Sequence, residues 1–191
     1  MRIAALVIVL SACGGKAPPP TRYYQLAPPQ TQAAEAAPRA SLVIEPLTAD
    51  GVYDDERMVY RTSAYRLDYY DYHRWGAPPG QMIASYLEHA LADRFRIVPP
   101  DSDDRALTLG GRVLAIEEID VAPKKWVGRI ALDLAARDST GRVVWSGRYD
   151  ETVPMSVQSP EGLAQAITAA MQSIANRVKE DYGVRPLRAA R

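Results

Sequence analysis

The sequence predicts an α+β fold, an antiparallel or mixed β-sheet with two amphipathic helices packed on one face. Two helical stripes and a set of alternating strands carry that prediction. Ile83, Tyr86, Leu87, Ala90, Leu91 and Phe95 recur at helical spacing, as do Leu163, Ile167, Ala170, Met171, Ile174 and Val178. Between them, residues 107–121 and 126–138 are apolar on alternate positions, the period of a strand with one buried side.

Taken in order, the chain starts with one basic residue, Arg2, then a short apolar run and small residues up to Cys13. That layout is a secretory signal over residues 1–12, too short to span a bilayer. Leu10-Ser11-Ala12-Cys13 resembles the bacterial lipobox, whose cysteine thiol takes a diacylglycerol thioether after cleavage in front of it. Cys13 is the chain's single cysteine and its predicted lipidation site. Gly14 follows where an aspartate would mark inner-membrane retention, which favours the periplasmic face of the outer membrane. Each buried acyl methylene contributes about 0.8 kcal/mol, so the two or more chains of a lipoprotein hold firmly.

Residues 13–41 are predicted as a tether and an Ala/Pro-rich linker, with a short strand at 23–26 (Tyr-Tyr-Gln-Leu). The domain proper is placed at 42–183. Residues 42–45 read as a strand stopped by Pro46, and Asp50-Gly51 as a turn. Residues 58–61 and 65–70 read as a hairpin joined by 62–64, with Tyr65, Leu67 and Tyr69 on one side and Tyr70 on the other. Ala77-Pro78-Pro79-Gly80 opens the first helix. In the strand from residue 107 the apolar phase shifts near Val113-Leu114, which predicts a bulge after Gly110-Gly111. Ser139-Thr140-Gly141 turns the chain into a strand carrying Val143, Trp145 and Tyr149. Ser159 and Pro160 are a cap and a first residue for the last helix, with Gly183 as its stop and 184–191 as a basic tail.

Composition removes several function classes. Lys and Arg number 23 against 23 Asp and Glu, so no basic excess supports a nucleic-acid partner. One Cys and two His (His73 and His89) leave no multi-cysteine or His-rich metal site and imply no cofactor. His73 stands near Asp68 and Asp71, a conceivable base and orienter, but no Gly-x-Ser-x-Gly elbow supplies a nucleophile. The acidic stretches 54–56 and 101–104 lack EF-hand spacing and read as solvated loops.

Several features together resemble the ABC-type transport auxiliary lipoproteins, the group that includes the paraquat-inducible lipoprotein C. They are the lipobox at Cys13, the Tyr23-Tyr24-Gln25-Leu26 segment, the strand at 42–46 and a strand ending in Tyr60-Arg61. His73-Arg74-Trp75 then leads through Pro78 into the first helix, and an Ala-rich helix closes the match. The resemblance implies a non-enzymatic accessory subunit. Its partners would be an inner-membrane ABC permease and ATPase and a periplasmic MCE-domain protein, which move phospholipid or other hydrophobic compounds between membranes. A homo-oligomeric ring is also implied. The alternative is an assembly or activator lipoprotein for lipopolysaccharide insertion or peptidoglycan synthesis.

Residues 53–75 hold seven of the fifteen aromatic side chains. Tyrosines bury much area and keep a polar tip, so they suit interfaces. Tyr65, Tyr69 and Trp75 are expected to fill the core under the first helix. Tyr70 and Tyr72 are the candidate partner-binding residues. Arg61 is expected to make a structural ion pair with Asp68 or Glu45, and Lys124-Lys125 to sit at a solvated turn with anionic headgroups as the functional reading.

Overall fold

The computed structural model describes residues 17–30 and 40–184. Cys13, the 1–12 signal, residues 31–39 and the tail from 185 lie outside them. The chain first forms short strands β1 (Arg22–Tyr24), β2 (Ser41–Ile44) and β3 (Thr48–Ala49). The hairpin strands β4 (Arg57–Ser63) and β5 (Arg66–Trp75) follow, then helix α1 (Pro79–Leu91) and β6 (Arg96–Ile97). Three long strands, β7 (Leu107–Ala122), β8 (Lys125–Arg137) and β9 (Val143–Met155), lead into helix α2 (Pro160–Val184).

Strand β7 is the spine of one mixed sheet. Antiparallel β8 covers one of its edges along the whole length, and β9 lies beyond β8. The other edge is shared in series by three parallel strands: β2 at Leu107–Leu109, β3 at Arg112 and Val113, and β4 at Glu117–Ile119. The expected bulge is present, because the β7–β8 register shifts between Val113 and Ala115. Gly111 is needed beside it: a Cβ there would come within 2.1 Å of the Asp133 carbonyl oxygen.

Both helices bury their predicted stripes. Ile83, Leu87, Ala90 and Leu91 of α1 and Leu163, Ile167, Ala170, Met171 and Ile174 of α2 are fully enclosed. The Ser159 hydroxyl accepts the Gly162 N–H at 3.0 Å, which satisfies a first-turn donor of α2. Lys179 of α2 and Asp93, just past α1, tie the two helices together with a largely enclosed ion pair at 2.7 Å.

Two expectations change. Tyr65 is fully exposed, because the hairpin turns at Ala64-Tyr65 and not at 62–64, so Tyr65 caps the bend and cannot reach the core. Trp75 is fully buried, as expected, and Tyr69 is half-buried with the Arg57 guanidinium stacked 3.7 Å above its ring. The second change concerns the stretch before residue 42. β1 joins the sheet edge in parallel with β5, Arg22 opposite His73 and Tyr24 opposite Trp75. Leu26 is buried, and residues 27–30 lie on α2, with the Ala27 and Gln30 N–H groups donating to Thr168 Oγ1 and Gln172 Oε1. This strap leaves a groove of about 470 Å³ beside α1, lined by Leu26, Met82 and Tyr86 among others.

Candidate functional site

Glu117 and Glu118 are adjacent on β7, so their side chains leave opposite sides of the sheet. Both are completely buried. Around them the structure assembles most of the polar groups that the sequence singles out.

Glu117 lies on the side away from the helices. Its Oε2 accepts the Tyr53 hydroxyl at 2.7 Å and the Arg61 Nε–H at 2.9 Å, and its Oε1 accepts from Arg129 at 3.2 Å. Arg129 stands directly opposite Glu117 on β8 and also grips Asp150 of β9 with two bonds of 2.7–2.8 Å. One carboxylate thus ties together the 3-10 turn at Gly51–Tyr53, β4, β7 and β8. Burial, reinforced by Glu117, pushes the Tyr53 phenol up to about 12. Hydrogen bonding to Asp150 holds the Arg129 guanidinium more firmly charged than usual, and Arg129 in turn pulls the Asp150 carboxyl down. Arg61 therefore has the structural role expected of it, but its partner is Glu117 and not Asp68 or Glu45. Those two lie near it in sequence or strand order, whereas Glu117 is brought in by the parallel β4–β7 pairing.

Glu118 lies on the helix side, opposite Gly128, whose missing side chain leaves room for Ala166 of α2. It accepts the Tyr70 hydroxyl at 2.7 Å and the Gln158 amide at 2.9 Å. The ring of Tyr70 packs on Tyr60 and His73 at centroid distances of 5.1 and 5.9 Å. Burial and the Glu118 carboxyl push the Tyr70 phenol well above the ordinary tyrosine range. Of the two candidate docking tyrosines, Tyr70 is therefore half-buried with its hydroxyl committed inside the molecule, and Tyr72 is the exposed one, at 38%. The sequence contained a signal for the acid pair: neighbouring glutamates inside an apolar strand cannot both face water in a sheet covered on one side.

His73 Nδ1 meets the Tyr24 hydroxyl at 2.9 Å, so its partner is the β1 tyrosine and not Asp68 or Asp71. His89 Nδ1 meets the carbonyl of Ser85. No group of three or more metal-ligating side chains occurs among the described residues. The arrangement is that of a cross-braced scaffold with two buried acids as its pins.

The model of the family described as ABC-type transport auxiliary lipoprotein component matches residues 24–179. The chain belongs to that family. Its match begins at Tyr24, the His73 partner, and ends at Lys179, the Asp93 partner, so it spans the braced body from the edge strand to α2. The fold of this auxiliary lipoprotein is similar to that of a crystal structure from Xanthomonas campestris, at 19% identity and TM-score 0.69, covering 86% of this chain and 94% of the other. It is similar also to a crystal structure of an uncharacterized protein, at 12% identity and TM-score 0.71, covering 85% and 98%. A crystal structure of a putative lipoprotein from Caulobacter crescentus matches at 20% identity and TM-score 0.41, covering 66% and 91%. No curated protein matches the chain.

The helix-side acid of this auxiliary lipoprotein gives a pH signature. Burial raises the Glu118 carboxyl above its ordinary 4.5; the Tyr70 and Gln158 hydrogen bonds pull it part of the way back, and Asp120 adds to the rise. A carboxyl raised on folding contributes stability that is full below its unfolded value and lost as pH rises through its folded one. Glu118→Gln keeps an acceptor for Tyr70 and removes that loss. The expected outcome is a Tm difference between variant and parent that is flat below about pH 4 and moves in the variant's favour as pH rises. Differential scanning calorimetry from pH 3 to pH 8 checks it. A difference that moves the other way contradicts the assignment.

Proposed function

We propose that this chain is a lipid-anchored, non-catalytic accessory subunit of an ABC/MCE-type transport system. Acylated at Cys13, it sits on the periplasmic face of the outer membrane. There it holds a periplasmic MCE-domain protein, and through it the ABC permease and ATPase, as phospholipid or another hydrophobic compound moves between membranes. The observation that carries the reading is the family match over nearly the whole described body, together with a lipobox cysteine in front of it. No helix among the described residues is long and apolar enough to cross a membrane. A scaffold braced by buried ion pairs suits a subunit whose task is to hold other components in place. Tyr72, exposed on the edge hairpin above the anchored Tyr70, is the proposed partner contact, and a homo-oligomer would set several such contacts in a ring.

Cys13→Ala tests the anchor. The parent is expected in the outer-membrane fraction with an intact mass that includes a diacylglyceryl group on Cys13. The variant is expected to leave that fraction. A parent of unmodified mass, free in solution, would sink the reading.

A further inference from the structure

We propose that one rim of the sheet is a second membrane contact, built to lie on anionic phospholipid headgroups beside the acyl anchor. The inference rests on the acylation of Cys13 proposed above. β4 and β7 run in parallel, Arg61 level with Ile119, so the β4–β5 turn and the β7–β8 turn fall at the same end of the molecule. Met155 pairs with Trp126, which brings the β9–α2 connection to that end as well. Three exposed large hydrophobic side chains gather there: Tyr65 at 100%, Val121 at 54% and Val157 at 60%. Lys124 and Lys125 occupy the turn between them, both exposed, and neither has an ion-pair partner among the described residues. Nearby charges are otherwise engaged, Arg66 with Asp68 at 3.9 Å and Asp120 with the Gln158 amide at 3.5 Å. An apolar tip flanked by lysines matches an interface whose surface is anionic and whose interior is apolar.

The direction of the tether identifies the occupant. β1 runs parallel to β5, and β5 runs away from its turn, so Arg22, where the tether joins the sheet, is the end of β1 nearer this rim. From Arg22, level with His73, to the Arg66 end of β5 is about 20 Å at strand spacing. The nine residue steps from Cys13 to Arg22 extend to about 30 Å at most. A body on so short a leash, emerging on that side, is held with Tyr65, Lys124 and Val157 against the bilayer that carries its acyl chains. The basic turn and the exposed valines are then wetted by lipid, not by the periplasm.

The test uses the full chain fixed to vesicles through Cys13, by its own acyl chains or by a thiol-reactive lipid. The vesicles are phosphatidylcholine with or without phosphatidylglycerol, part of the lipid carrying brominated acyl chains that quench tryptophan on contact. Tyr65→Trp places a reporter on the rim, and Ser139→Trp places one in the β8–β9 turn at the opposite end. Read as the change from the parent, which already carries Trp126 beside Lys125 at this rim, the expected result is that Tyr65→Trp gains a blue-shifted emission that brominated lipid quenches, and that Ser139→Trp gains neither. The quenching should fall without phosphatidylglycerol and in Lys124→Glu/Lys125→Glu. A rim reporter as unquenched as the one at 139, or quenching indifferent to both phosphatidylglycerol and the lysine changes, overturns the proposal. A blue shift of the rim reporter that appears only when an MCE-domain protein is added, with no quenching by brominated lipid, overturns it too, in favour of a protein docking site. The intact mass of the native protein reports acylation independently, so loss of the anchor and loss of the rim contact are separate results.

Discussion

Glu117→Ala is expected to cost about 3 kcal/mol of folding stability, the lower part of the range for breaking a buried charge cluster. For a chain of this size that lowers Tm by on the order of 10 °C. The reason is what remains behind. The Tyr53 hydroxyl, the Arg61 guanidinium and one arm of Arg129 all lose the same acceptor, and Glu117 itself is fully enclosed. Two facts hold the cost down: Arg129 keeps Asp150, and the Arg61 side chain is 23% exposed and can turn to water. Glu117→Gln retains an acceptor at the same place and is expected to cost distinctly less. The damage should also spread to the rim, because Arg61 reaches the Ala64 carbonyl in the β4–β5 turn. Denaturant unfolding gives the energies, and hydrogen exchange at residues 64–66 should quicken in the alanine variant. A loss below 1 kcal/mol would mean that Glu117 does not pin these strands.

Trp75→Ala is expected to cost about 3–5 kcal/mol, the usual range for emptying a large aromatic site in a packed core. Trp75 has no exposed surface, and it stands where three segments meet. It pairs with Tyr24 of β1, its backbone N–H donates to the Glu56 carbonyl at 2.7 Å, and the backbone N–H of the next residue, Gly76, donates to the Tyr24 carbonyl at 2.6 Å. The chain then turns into α1, so a cavity at Trp75 loosens the edge strand and the helix entry together. Trp75→Phe is a discriminating companion. The indole N–H is buried without an acceptor among the described residues, so phenylalanine forfeits no hydrogen bond and removes an unsatisfied donor. The phenylalanine variant should therefore lose well under half of what the alanine variant loses. Equal losses would show that the indole makes polar contacts that the geometry does not contain.

The sequence disclosed what repeats and concealed what is paired at a distance. Both helices were readable because six apolar positions in each keep a helical period. The bulge near Val113 was readable because it breaks a strand's phase. Arg61 and Trp75, chosen for their place in the family pattern, prove to be central to the braced body. Tyr65 was misplaced because alternation alone cannot fix where a hairpin bends, and a bend at Ala64-Tyr65 takes this side chain out of the strand and into the turn. The edge strand at Arg22–Tyr24 and the strap on α2 were not readable as docked. Their few residues carry no period, and their partners lie some 50 and 140 residues away in sequence. The Glu117 and Glu118 networks are of the same kind: each side chain is ordinary in sequence and acquires its role only when β4, β7 and β8 come together. Tyr70 and Tyr72 show the two outcomes for neighbouring candidates. A buried carboxyl waits for the first, and solvent for the second.

The proposed role, an anchored subunit that holds the parts of a transport system together, is open to in-cell photo-cross-linking from position 72. A photoreactive amino acid placed at Tyr72 in the acylated protein, followed by mass spectrometry of the adducts, is predicted to yield an MCE-domain protein, with components of the ABC permease recovered alongside it. Adducts confined to a lipopolysaccharide-insertion or peptidoglycan-synthesis protein would contradict the account.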